Sequence, residues 1–227
     1  MMRKSSLLMA VIALVLVVPV AHAAGWMIGV NGGMTIPTGD FGSDDPATGL
    51  DAKSGPQAGL DISYMVNDKI AIGVDGSWVQ NKHADEGSVE TNPITGETLT
   101  ADKDKFKFLR FGAHGKFMFS MAGSPVQPYA VVGAGVYNVK EDFKYTYFDP
   151  STSTTIVFTD ENTSFEQPGT RPGGKVGLGA SFKAAEKVNI DVQANYNFIS
   201  MDKDKFGVSS LQYIGVQAGV SFNIMPQ

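Results

Sequence analysis

Between Val188 and Phe198 the chain reads Val-Asn-Ile-Asp-Val-Gln-Ala-Asn-Tyr-Asn-Phe, with every second residue apolar. Val188, Ile190, Val192, Ala194, Tyr196 and Phe198 alternate with Asn189, Asp191, Gln193, Asn195 and Asn197. Successive side chains of a strand point to opposite faces, so this segment is a strand with one apolar and one polar side. At about ten residues it also has the length a tilted strand needs to cross a bilayer.

The same period of two marks seven further strands. They cover about Gly25–Ile36, Gln57–Val66, Ile70–Gln80, Phe108–Phe119, Gln127–Val139, Lys175–Ala184 and Gln212–Ile224. In Gln127–Val139 the apolar face is either Tyr129, Val131 and Tyr137 or Val132, Ala134 and Val136. The connections alternate in length. Asn67–Lys69, Ser120–Val126 and Ala185–Lys187 are short, whereas Pro37–Pro56, Asn81–Lys107, Lys140–Gly174 and Ser200–Leu211 are long and rich in Asp, Gly, Pro, Ser and Thr. With sequential antiparallel strands, every short turn falls at one end and every long loop at the other, the polarity of an outer-membrane barrel.

The N-terminus carries Arg3 and Lys4, an apolar run from Leu7 to Val20, and Ala21-His22-Ala23. That is a cleaved export signal: residues 1–23 are expected to be removed, and residues 24–227 form one domain. Removal takes away two basic residues and no acid, so the formal charge moves from −5 to −7. An acidic exported chain is a poor nucleic-acid binder. With no Cys in the sequence, disulfides, Cys-ligated zinc and thiol nucleophiles are excluded. No segment of the mature chain is apolar enough for a membrane helix, so a membrane encounter requires a closed sheet.

Alternation does not by itself say which face looks outward. The polar face carries many small residues, among them Gly29, Gly33, Gly59, Gly73, Gly112, Gly177 and Gly219, as a narrow eight-stranded interior requires. The apolar face carries Trp26, Tyr64, Trp78, Phe119, Phe182, Tyr196 and Phe222 near strand ends, where they suit interfacial girdles. The expected fold is therefore all-β: an eight-stranded antiparallel up-and-down transmembrane barrel in the bacterial outer membrane. Asp61, Asp75, Arg110, His114, Lys116, Lys175, Lys183 and Asp191 then point inward. Two bare carboxylates facing each other across a hairpin repel, so Arg110, His114 and Lys116 are expected to join Asp61 and Asp75 in an ion-pair network that fills the lumen. Asp191 is expected to take Lys183. The rival reading of the same residues is an ion or proton path.

Asp102-Lys103-Asp104-Lys105-Phe106 recurs as Asp202-Lys203-Asp204-Lys205-Phe206. Both copies are placed in external loops, where Lys103, Lys105, Lys203 and Lys205 contact lipopolysaccharide phosphates, the Asp-x-Asp pairs bind Ca²⁺, or the whole is a plain solvated charged loop. Within Lys140–Gly174, two runs rich in aromatic and β-branched residues flank Asp149-Pro150-Ser151 and suggest a hairpin standing above the membrane, whose edge either binds a partner by strand addition or has none. The sequence holds no nucleophile elbow, P-loop, dinucleotide fingerprint or metal-ligand cluster. No cofactor, metal or catalytic residue is expected.

Three stretches resemble the small outer-membrane β-barrel superfamily, which includes the OmpA transmembrane domain and the OmpX, OmpW and opacity-type proteins. They are Gly33-Met34-Thr35-Ile36-Pro37-Thr38-Gly39-Asp40-Phe41, Pro128-Tyr129-Ala130-Val131-Val132-Gly133-Ala134-Gly135-Val136-Tyr137, and the last strand from Tyr213 to Phe222. In that superfamily the last strand carries the signal for the outer-membrane assembly machinery and usually ends in an aromatic. Here five more residues follow Phe222. The resemblance implies a non-enzymatic protein of envelope integrity and surface-loop interaction (adhesion or lipopolysaccharide contact), with outer-membrane lipid, the assembly machinery and a surface ligand as partners. An OmpW-like resemblance implies instead a passive channel for small or hydrophobic solutes. A lipid-modifying enzyme is the third class.

Overall fold

The computed structural model describes residues 25–45, 49–119, 124–163, 170–203 and 208–224. The export signal and its cleavage site lie outside them. Among the described residues the chain forms ten strands: β1 (Gly25–Thr38), β2 (Gly55–Asn67), β3 (Ile70–Lys82), β4 (Val89–Thr91), β5 (Thr98–Met118), β6 (Val126–Asp149), β7 (Thr154–Thr163), β8 (Thr170–Lys183), β9 (Val188–Ser200) and β10 (Ser210–Ile224). Eight of them, β1, β2, β3, β5, β6, β8, β9 and β10, pair antiparallel with their neighbours, and the β5–β6 and β1–β10 pairings close the ring. Closure leaves this ring no unpaired edge.

The exterior is apolar over a continuous band. Leu178 (67 % exposed), Leu60 (60 %) and Val74 (57 %) stand on it with Ile28, Val30, Phe111, Val132, Val192 and Val216. Water would not tolerate so large an apolar surface, and hydrocarbon does. On β6 the outward set is Val132 and Val136, while Tyr129, Val131 and Tyr137 are buried inside. The opening strand, β9, buries Gln193, Asn195 and Asn197 inward.

Aromatics mark both rims of the band. Trp26 pairs with Tyr64 in register, their ring centroids 5.3 Å apart. Phe119, Phe182 and Phe222 are exposed at the same end, and Trp78 and Tyr196 at the other. At the first end the β2–β3 turn is tied by Asn67, whose Oδ1 accepts the backbone N–H groups of Lys69 (2.8 Å) and Ile70 (2.9 Å).

At the opposite end β5 and β6 run well past the band. β5 begins at Thr98, about ten residues before the expected start, and β6 continues to Asp149. β4 pairs with β5 and β7 with β6, giving a four-stranded sheet, β4-β5-β6-β7, above the barrel. Lys103 and Lys105 therefore sit on a strand, not in a loop. The misplacement has a physical cause: outside the membrane the outward face meets water, so the apolar half of the alternation disappears while the pairing continues.

Candidate functional site

The lumen is built in layers, and the uppermost is apolar. Phe41, Val79, Phe106, Phe108, Val139, Ile199, Met201, Val208 and Leu211 form one buried cluster with Tyr137 and Tyr213. Most come from inward positions at the tops of ring strands. Phe41 comes from the β1–β2 connection, where a single 3-10 turn, Gly39–Phe41, folds it into the mouth. Gly39 has φ +59, a conformation open mainly to glycine, and a Cβ there would lie 2.8 Å from the Gln212 side-chain oxygen. The ring of Phe41 packs edge-on against Phe106 (5.4 Å) and Phe108 (5.5 Å), and Phe108 stacks on Tyr213 (6.1 Å). The Pro37–Phe41 stretch that carried part of the family resemblance thus stoppers the barrel. Sequence reasoning missed this plug. The available signal was the switch of the inward set on β9, from Asn195 and Asn197 to Ile199, and on β5, from Arg110 to Phe108 and Phe106.

Beneath the plug lies an ion-pair layer. Arg110, 2 % exposed, pairs with Asp75, and its Nε donates to the Tyr137 hydroxyl at 3.0 Å. Lys175 approaches Asp75 at 3.2 Å. The His114 ring bridges the two carboxylates, with Nδ1 3.0 Å from Asp75 and Nε2 3.0 Å from Asp61. Lys116 reaches Asp61 at 2.9 Å, and Ser63 donates to the same carboxylate at 2.7 Å. The register explains the convergence: Asp61 faces Asp75 across β2–β3, and β5 sets His114 opposite Gly73 and Arg110 opposite Ser77.

Lys183 and Asp191 do not join this network. Lys183 sits exposed at the end of β8, opposite Asn189 rather than Asp191. The Asp191 carboxylate accepts a hydrogen bond from Ser221 at 2.6 Å, and no cation lies within ion-pair distance of it among the described residues. The expected pairing fails because Lys183 stands one inward position nearer the rim, where water solvates it. Below Lys116, Tyr129 donates to Gln193 at 2.9 Å, and the Gln193 amide donates to Asn195 at 2.7 Å. The lumen then widens into a vestibule of 430 Å³ that opens at the short-turn end, lined by Met27, Met65, Met118 and Asp191.

The upper sheet has its own electrostatics. Lys103 pairs with Asp142 (3.4 Å) and Lys105 with Glu86 (3.2 Å), and Lys107 also pairs with Asp142. Burial works to raise the Asp142 carboxyl, but the Lys107 and Lys103 ammonium groups outweigh it and hold the acid below its usual range. Burial pushes Glu141 up to about 7, helped by the nearby charge of Asp104. Burial and hydrogen bonding to Asp104, at 2.5 Å, push the Tyr145 phenol up. Lys203 is exposed, and Lys205 lies outside the described residues.

A closed antiparallel ring with an apolar exterior, aromatic rims and a largely polar interior defines a transmembrane β-barrel. The family described as outer membrane protein beta-barrel domain matches residues 10–224, and the chain belongs to it. It is therefore a bacterial outer-membrane protein. Among solved structures it is similar to Neisserial surface protein A (16% identity, TM-score 0.54, covering 88% of this chain and 99% of that one). It is also similar to Ail of Yersinia pestis in complex with the heparin analogue sucrose octasulfate (15%, TM-score 0.42, 89% and 100%). A third is OprG from Pseudomonas aeruginosa (18%, TM-score 0.45, 90% and 98%). At these identities the likeness concerns the fold. No curated protein matches the sequence.

Proposed function

We propose that this barrel neither conducts nor catalyses, and that it acts through its external parts: it seals and stiffens the envelope and makes surface contacts, by adhesion or by lipopolysaccharide binding. One observation carries the reading, the two-layer closure of the lumen. Phe41 and Leu211, both 0 % exposed, lie in the apolar plug, with Arg110 at 2 % just beneath. Eight strands leave an interior just wide enough for side chains, and beside the ion pairs they leave a polar pocket of only about 60 Å³. The vestibule below Tyr129 gives a solute room to enter from the short-turn end, and the small pocket, which shares its Lys116, Tyr129 and Asp191 walls, continues beside the ion pairs as far as Tyr213, at the base of the apolar plug.

The sheet above the membrane supports the surface role. Lys103 and Lys105 stand on it six and four residues above Leu109 of the apolar band, each partly exposed although paired (31% and 24%), so the phosphates of lipopolysaccharide above the lipid surface remain within their reach. A planar-bilayer recording tests the reading. The unaltered protein is expected to show no sustained open level, and a large steady conductance would overturn it in favour of a passive channel. Expression should leave the mass of lipid A unchanged, and a changed mass would mark a lipid-modifying enzyme.

A further inference from the structure

β7 is the outer edge of the upper sheet, paired with β6 on one side only among the described residues. Natural edge strands are blunted by charge, Pro, a bulge or shortness. β4, at the other edge, is three residues long and carries Glu90. The first six residues of β7, Thr154 to Thr159, read Thr-Thr-Ile-Val-Phe-Thr, with no charge, Pro or Gly; Asp160, Glu161 and a register irregularity come only in its last four residues. Ile156, Val157 and Phe158 are 44%, 50% and 51% exposed.

We infer that β7 pairs antiparallel with β7 of a second copy of this chain, held in an opposing membrane. The inference rests on the surface-contact reading and supplies its partner. The segment is nearly palindromic about Val157. With a two-fold axis through that residue and normal to the sheet, Val157 faces Val157, Ile156 faces Phe158 and Thr155 faces Thr159, twice each for the last two. Aromatic with β-branched and Thr with Thr are favourable cross-strand pairs.

Membrane topology selects the opposing arrangement. Two copies in one membrane are related by an axis along the membrane normal, so their β7 strands point the same way and cannot pair antiparallel. Copies in facing membranes are related by an axis lying between the membranes, which reverses the strand. Val157 lies opposite Thr146 of β6, nine residues beyond Tyr137 and roughly 30 Å along the strand, which carries the pairing segment clear of the lipid surface.

The chain has no Cys, so a single introduced thiol reports the contact. Val157→Cys is refolded into two populations of vesicles carrying different fluorescent labels, which are mixed under mild oxidation. Opposed residues of an antiparallel pair have Cα atoms about 4.5–5.5 Å apart, within disulfide reach. The expected result is vesicle clustering together with disulfide dimers that carry both labels. Ile156→Cys should not cross-link with itself but should do so with Phe158→Cys in the other population. Val157→Lys should abolish clustering while leaving heat-modifiable gel mobility, the sign of a folded barrel, unchanged. Dimers that form only within one population, absence of the Val157→Cys dimer, or undiminished clustering by folded Val157→Lys would each overturn the pairing. None of these would open the lumen, so failure here is distinct from failure in the conductance assay.

Discussion

Replacing Arg110 by Met tests the ion-pair layer most directly. Met has similar reach and no charge, so packing over the Tyr137 ring, whose centroid lies 5.6 Å from the guanidinium carbon, is largely kept. What is lost is the pairing with Asp75, whose side chain is only 9% exposed. Removing one partner of a buried pair costs about 3–5 kcal/mol, because the other charge stays buried without its counter-charge. Asp75 keeps Lys175 at 3.2 Å and His114 at 3.0 Å, so the low end applies, about 3 kcal/mol, or roughly a hundredfold in the folding equilibrium. Asp75→Asn should cost less in the Arg110→Met background than in the parent, with a coupling of about 2 kcal/mol. The assay is urea unfolding of the refolded barrel in lipid vesicles, followed by the fluorescence of Trp26 and Trp78. A loss below about 1 kcal/mol for Arg110→Met, or additivity of the two substitutions within about 0.5 kcal/mol, would refute the claim that these charges hold the lumen together.

Phe41→Ala empties the centre of the plug. Burial of a whole aromatic ring predicts a loss of about 3 kcal/mol in the same unfolding assay, with Phe41→Leu losing less than half as much. Conductance should stay closed in Phe41→Ala because the ion-pair layer lies beneath; sustained openings would show that the plug alone is the seal. The upper sheet should respond to pH through Glu141. Its folded pKa of about 7 exceeds the ordinary 4.5, so the folded state binds the proton more tightly, and stability falls as pH rises from about 4.5 to about 7. Asp142 has the opposite sign and loses its contribution only at more acid pH, as it is protonated. Near-UV circular dichroism of the upper-sheet tyrosines, Tyr145 and Tyr147 of β6, should therefore melt at a higher temperature at pH 5 than at pH 8, and Glu141→Gln should flatten the difference; an unchanged difference in that variant would remove Glu141 as its cause.

How far the sequence was legible follows from what a period of two encodes. It reports which side of the sheet a residue takes, and it read correctly on β1, β2, β3, β8, β9 and β10, where one face meets lipid and the other a polar lumen. It left two faces open on β6, because Tyr129, Val131 and Tyr137 are apolar residues inside a lumen while Val132 and Val136 face lipid, so both faces look alike. It also stopped short on β5, where Lys105 and Lys107 face outward above the membrane, and the alternation of charge with Phe106 and Phe108 resembled a loop. Height along the barrel is the missing coordinate. Each surface changes solvent once along the axis: the exterior goes from lipid to water, and the interior from polar network to apolar plug. The same blindness accounts for Lys183 and Asp191, which both line the vestibule at heights where one meets bulk water and the other Ser221. A barrel with an apolar stopper at one end and an open vestibule at the other is asymmetric along its axis, and any ligand it binds in the lumen must therefore enter and leave by the short-turn end.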